Sequence, residues 1–225
     1  MWPATVTPVN SRDLDRDVAG CAASHQRLLA SLDGLTDEQA GQHSLLPNWT
    51  VGHVLSHLAR NADGFVRMLE GAERGEVRSQ YEHGAAGRTA DIDAGSGRGA
   101  DELVIDVRMS IGRLEQTWAS LTETGWHGRG RTFSGDLATT AIPSRRWRET
   151  EIHSVDLGLG YRFADLPADF VRIELNQMTA LLASRKPMGL TDPAPAALAL
   201  TPNDRLAWLF GRLDVDGLAP AGIYG

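Results

Sequence analysis

Between Ala100 and Leu121 the apolar residues Val104, Val107, Ile111, Leu114, Trp118 and Leu121 follow one another at steps of three or four. That spacing lays all six along one stripe of an α-helix, and such a stripe has to be buried against other elements. The same period recurs over residues 11 to 32, with Leu14, Val18, Cys21, Leu28 and Leu29 behind Ser11 as N-cap. It recurs again over 50 to 71, with Val54, Leu55, Leu58, Ala62, Phe65 and Leu69 behind Thr50 as N-cap. A fourth helix is expected over 143 to 158, with Pro143 in its first turn and Gly158 closing it. Four amphipathic helices of this length predict a mainly α protein built as a four-helix bundle.

The connections carry their own signals. A short helical turn is expected after Thr36. The run "ERGEVRSQYEHGAAGRTADIDAGSGRG", residues 73 to 99, is glycine-rich, polar and without clear period, and reads as one long crossover loop. A second irregular stretch, "GWHGRGRTFSGDLATTA", precedes the fourth helix. Beyond the bundle, Pro167 opens a fifth helix to about Arg185, and a last helix runs from Thr201-Pro202 to about Arg212. The proline-rich segment between them has room for a short strand or two. The division expected is a bundle over residues 1–162 and a small C-terminal α or α/β region over 163–225, packed on it.

Charge and composition exclude several classes. A net charge of −7 without a basic cluster argues against nucleic acid as a partner. No run of about 18 apolar residues is present, so no membrane span is expected. The N-terminus lacks the basic-then-apolar layout of a secretory signal, and a cytoplasmic protein, monomer or homodimer, is expected. The single cysteine, Cys21, excludes an internal disulfide and any multi-cysteine metal site; it lies in the apolar pattern of the first helix and reads as a small buried hydrophobe.

Chemistry enters with "NWTVGHVLSHLA", residues 48 to 59, where His53 and His57 stand four apart and share a helix face. His57 lies beside the Val54–Leu58 stripe and so faces the core. His53 sits in the first turn, where it lines a pocket, bonds locally or meets solvent. In the fourth helix, "RRWRETEIHSVDLG" places Glu149 and His153 four apart as well, and Asp156 one turn further on can accept a hydrogen bond from an imidazole and fix its orientation. Each spacing alone is common on solvated helix faces. Together, on two long helices of a bundle, they suit a metal site, because bundle cores build such sites from inward side chains on facing helices.

"LPNWTVGHVLSHLARNADG" followed by "RRWRETEIHSVDLGLGY" resembles the mycothiol-dependent maleylpyruvate isomerase family, part of the DinB-like group of metal-binding four-helix bundles. The similarity spans about residues 11 to 160, and "LAWLFGR" at 206 to 212 is similar to the family's C-terminal region. The resemblance implies that one histidine of Trp-Thr-x-x-His-x-x-x-His joins the Glu-x-x-x-His pair to hold zinc. The ligands here would then be His57, Glu149 and His153, with Asp156 behind His153. It also implies arginines at the substrate carboxylates, for which Arg88 and Arg212 match best. Arg146 adds a third positive charge near the ligand helix, and Arg146 and His53 are the candidates for contact with the cofactor.

Two imidazoles and one carboxylate leave a zinc ion open positions, the catalytic rather than the structural pattern. Nickel or iron would also accept these donors. Coordination deprotonates a thiol at neutral pH, and the chain has no suitable cysteine, so the thiol must come from outside. The resemblance supplies mycothiol. The expected reaction is thiolate addition to a cis enedioic keto acid, rotation about the resulting single bond, and elimination to the trans isomer, as for maleylpyruvate. Alternatives are a mycothiol S-transferase that leaves the thiol attached to an electrophile, a metal-binding bundle without turnover, and, less favoured, a zinc hydrolase, which lacks an obvious general base.

Overall fold

The computed structural model describes residues 11–185 and 193–223, which fall into two compact units, Met1–Leu159 and Gly160–Gly225. The first unit opens with helix α1 (Ser11–Ser31) and a short helix α2 (Asp37–Gly41), which Thr36 caps by accepting from the Gln39 amide. Whether the Ser11 side chain caps α1 lies outside the described residues. Helices α3 (Val51–Glu73), α4 (Gly84–Ser96) and α5 (Ala100–Ser120) follow. A short helix α6 (Glu123–Trp126) leads to a hairpin of β1 (Arg129–Thr132) and β2 (Gly135–Ala138), and the unit ends in α7 (Ile142–Asp156). The hairpin is antiparallel, with Arg129 opposite Ala138 and Thr132 opposite Gly135.

Helices α1, α3, α5 and α7 close a ring. α3 packs on α5 and α7, and α1 packs on α7 and α5. The core between them includes the periodic residues Leu28, Val54, Leu55, Leu58, Val107 and Ile111, all buried; Leu103, outside the expected stripe, is buried with them, and Val104, within it, is only partly buried. At roughly 25 cal/mol per Å² of apolar surface, this burial is the main force holding the helices together. Ion pairs brace the outside, where Asp106 of α5 accepts from Arg60 of α3 and from Arg98, both at 2.6 Å.

The run 73–99, expected to be a loop, carries α4. Its propensity is mixed, with Ala85, Ala86, Ala90 and Ala94 offset by Gly84, Gly87 and Gly95, and only Ile92 is buried. A helix with so little apolar content depends on tertiary packing. That packing is a close approach to α3: a Cβ at Gly52 would stand 2.2 Å from the Ser96 carbonyl oxygen.

The segment before α4 is tied to the hairpin. Gln80 donates its amide to the Arg131 carbonyl at 2.8 Å, and Arg131 donates to the Arg78 carbonyl at 2.9 Å. The stretch read as irregular before the fourth helix is therefore the hairpin that anchors residues 78–81.

The second unit contains α8 (Ala168–Ser184), a short α9 (Pro195–Leu198) and α10 (Pro202–Leu209), with α10 against α8. Its described residues hold no strand, only an isolated bridge between Val215 and Leu218. Residues 186–192, part of the segment with room for a strand, lie outside the described residues. None of the described helices is long and apolar enough to cross a membrane.

Candidate metal centre

α3 begins at a capping box. The Thr50 hydroxyl oxygen accepts the His53 amide at 3.3 Å, and His53 Nδ1 accepts the Thr50 amide at 3.2 Å. The cap fixes the first turn and with it His57, one turn later, which is buried at 3% exposure. On α7 the four-residue step brings Glu149 and His153 to the same face. Across the bundle, His57 Nε2 lies 3.0 Å from Glu149 Oε2, and His153 Nε2 lies 3.6 Å from the same oxygen. The two imidazoles meet edge to face with centroids 4.6 Å apart. One donor atom from each of His57, Glu149 and His153 falls within 4.8 Å of the others.

The neighbours set tautomers and charges. His153 Nδ1 stands 2.9 Å from Asp156 Oδ2, a fully buried carboxylate, and this turns Nε2 toward Glu149. Arg88, at the start of α4, donates from Nη2 to His57 Nδ1 at 3.0 Å, so the proton of a neutral His57 sits on Nε2 and points at Glu149. Burial pushes the His57 pKa down to about 4 against the pull of Glu149. Burial acts the same way on His153, but hydrogen bonds to Asp156 and Glu149 outweigh it and raise its pKa. Glu149 is pushed up by burial and held well below the carboxylate range by hydrogen bonds from His153 and His57. At neutral pH the centre is a carboxylate between a charged and a neutral imidazole.

This donor set fits a divalent cation. The three groups come from two facing helices, their nitrogens point at one carboxylate, and His153 is oriented from behind by a buried acid, as is usual for a metal-ligating imidazole. A cation here would displace the proton shared within the cluster.

The other expected residues have different surroundings. His53 spends Nδ1 on the helix cap and leaves Nε2 4.0 Å from Asp93; its local bond explains its place in the sequence. Arg146, expected at the cofactor, is instead inside the bundle. It is fully buried and donates to His25 Nε2 at 3.1 Å, to the Leu58 carbonyl at 2.8 Å and to Asn61 Oδ1 at 2.9 Å. Helical position alone did not reveal that the face carrying Arg146 turns toward α1 and α3. Arg212 belongs to the second unit, just past α10, and donates from Nη1 to the Phe210 carbonyl at 2.8 Å.

Sequence reasoning missed two side chains. Trp49 walls the site with its ring 5.6 Å from that of His57. Tyr81 lies between the exposed Phe133 of the hairpin turn, stacked at 5.5 Å, and the Arg88 guanidinium, 5.8 Å from its ring centre. Residues 73–83 have no periodicity, so nothing in the sequence marked Tyr81.

A four-helix bundle that brings two imidazoles and a carboxylate from facing helices to one point has the architecture of the bundle metalloproteins. Residues 21–158 match the family model described as the mycothiol maleylpyruvate isomerase N-terminal domain, and the chain belongs to that family. Two solved structures are similar to it. The crystal structure of the mycothiol-dependent maleylpyruvate isomerase aligns with a TM-score of 0.78 and 24% identity over 88% of this chain and 89% of that one. A His-to-Ala mutant of the mycothiol-dependent maleylpyruvate isomerase aligns with a TM-score of 0.72 and 26% identity over 76% and 72%. The fold is thus the DinB-like bundle expected from the sequence. A search of curated proteins finds no match.

Proposed function

We propose that this chain is a zinc- and mycothiol-dependent isomerase that converts a cis keto-dicarboxylate of the maleylpyruvate type to its trans isomer. The observation that supports the reading most directly is the meeting of His57, Glu149 and His153 within 4.8 Å, in a chain of this family. These three would hold the metal, and Asp156 would keep His153 in the ligating tautomer. Zinc so held would supply a Lewis acid able to keep a thiol of the mycothiol kind as thiolate at neutral pH.

The remaining chemistry belongs to the side chains. Arg88, whose guanidinium stands 3.0 Å from His57 Nδ1, lies beside the centre, and its planar fork suits a substrate carboxylate. Trp49 sets its indole beside His57, the ring centres 5.6 Å apart, and lines that side of the centre. The substrate rotates while its double bond is single, so the protein has to hold the two ends loosely enough to turn and firmly enough to keep.

The test is turnover of maleylpyruvate by the zinc-loaded chain with mycothiol kept well below the substrate concentration. Complete conversion to fumarylpyruvate with the thiol recovered is the expected result. A thiol conjugate accumulating one for one with substrate lost overturns it in favour of an S-transferase, and bound zinc without thiol-dependent chemistry overturns it in favour of a bundle that only binds metal.

A further inference from the structure

We infer that Arg146 is a positioning residue for the metal centre: its guanidinium fixes the approach of α3 to α7, and with it the distance between His57 and Glu149. The inference rests on the zinc-binding part of the reading above and concerns a side chain that donates to none of the three ligands.

Helix geometry puts Arg146 in the layer next to the centre. On α7 it precedes Glu149 by three residues and His153 by seven, steps that keep all three on one face. On α3, Leu58 follows His57 directly and Asn61 follows it by four. Arg146 Nη1 donates to the Leu58 carbonyl at 2.8 Å and to Asn61 Oδ1 at 2.9 Å. This bridge between the helices stands one turn from the place where His57 Nε2 meets Glu149 Oε2 at 3.0 Å.

The same side chain reaches the other two helices of the bundle. Nε donates to His25 Nε2 of α1 at 3.1 Å. A guanidinium only donates, so the His25 proton lies on Nδ1, which stands 2.7 Å from Glu115 Oε1 of α5. Arg146 thus ties α7 to α3 and α1 directly, and to α5 through His25.

This arrangement is costly for the fold. Arg146 is fully buried. Its three acceptors are an imidazole, a carbonyl and an amide, none of them an anion, and among the described residues Nη2 has no hydrogen-bond partner. Burying a charge without a counter-ion is unfavourable, and an apolar side chain of similar volume would fill the space at less cost. Stability therefore gives no reason for a guanidinium here. Its planar fork supplies what an apolar side chain cannot, a set distance between two backbones. Metal ligation needs that distance. Zinc holds nitrogen and carboxylate oxygen at about 2.0–2.2 Å, so tetrahedral donors stand roughly 3.3 Å apart. Glu149 Oε2 lies 3.0 Å from one imidazole and 3.6 Å from the other. A shift of about half an ångström between the helices takes such donors out of range.

The experiment loads the full-length protein and its Arg146→Met variant with cobalt(II), whose visible absorption reports coordination geometry, and measures zinc affinity by competition with a chromophoric chelator. Methionine fills much of the space and removes every donor. Arg146→Met is expected to bind zinc about 10- to 100-fold more weakly and to alter the cobalt bands. Leu103→Ala opens a cavity in the core beside α5, away from the bridge, and controls for loosening alone. It is expected to bind zinc within about twofold of the wild type and to leave the bands unchanged. Asn61→Leu removes one acceptor from the far end of the bridge and takes the place of Arg146→Met if that variant does not fold; it is expected to weaken zinc and alter the bands in the same way. Wild-type affinity and bands in Arg146→Met, or in Asn61→Leu where it stands in, overturn the positioning role. So does an equal loss in Leu103→Ala, which would make the effect one of general stability. A wild type that takes up neither cobalt nor zinc overturns the zinc-dependent reading itself.

Discussion

Asp156 is fully buried at the end of α7, and its Oδ2 lies 2.9 Å from His153 Nδ1. A carboxylate in that position fixes the ring and raises the basicity of the nitrogen facing the centre. Asp156→Asn should keep the fold and weaken zinc binding by about 10- to 100-fold, read by competition with a chromophoric chelator. An unchanged affinity would show that His153 orients itself without help. A second residue-scale prediction concerns His25 of α1, which accepts from Arg146 and lies 2.7 Å from Glu115 Oε1. Burial, with the neighbouring Arg146 charge, pushes its pKa down to about 4 against the pull of Glu115. The unfolded chain takes up this proton first as pH falls, so the stabilisation is complete above about pH 6.5 and is lost as pH falls toward 4. Urea unfolding at pH 7 and pH 5 should show the wild type losing on the order of 2 kcal/mol more than His25→Gln. Among these residues, His57, Glu149, His153 and Asp156 were legible in the sequence because a helix converts a step of three or four residues into a shared face. Tyr81 and the interior Arg146 were not, because their positions depend on a hairpin and on which way a helix is rolled.

α4 shows how an element can be hidden from periodicity and still position a functional group. It carries Arg88 at its start, buries only Ile92, and is held where two backbones nearly touch at Gly52 and Ser96. Gly52→Ala would put a methyl 2.2 Å from a carbonyl oxygen that cannot rotate away. The expected result is a loss of about 1–3 kcal/mol in urea denaturation, typical of forced overpacking. Because α4 has to shift, the Arg88 contact to His57 should loosen as well. A variant as stable as the wild type would mean that α4 moves without cost and adds nothing to the fold. The four bundle helices were readable from sequence by local signals: α5 by its unbroken apolar stripe, α1 and α3 by near-helical apolar spacing behind an expected N-cap, and α7 by the proline that opens it and the glycine that closes it. α4 was read as loop because its glycines and polar residues have no stripe, and its partner surface on α3 becomes visible only in three dimensions.

For the whole molecule, the candidate centre joins helices that are far apart in the chain: His57 comes from α3, and Glu149 and His153 from α7. A cation bound there links the first half of the bundle to its last helix, and the unfolded chain has no equivalent site. Binding to the native state alone stabilises by about 2.7 kcal/mol when free metal is 100 times its Kd. For a chain of this size each kcal/mol moves the melting temperature by about 2–4 °C. Zinc-loaded protein should therefore melt roughly 5–10 °C higher than the same protein after chelation and dialysis, and restoring zinc should restore the difference. Glu149→Ala separates a specific centre from general effects of metal on the protein. It removes the carboxylate that both imidazoles face, so its melting temperature should be indifferent to zinc whatever the variant's own stability. If the wild type melts at the same temperature with and without zinc, or if Glu149→Ala responds as the wild type does, the two helices do not share an ion. In either case the thiol chemistry would have no metal to rest on.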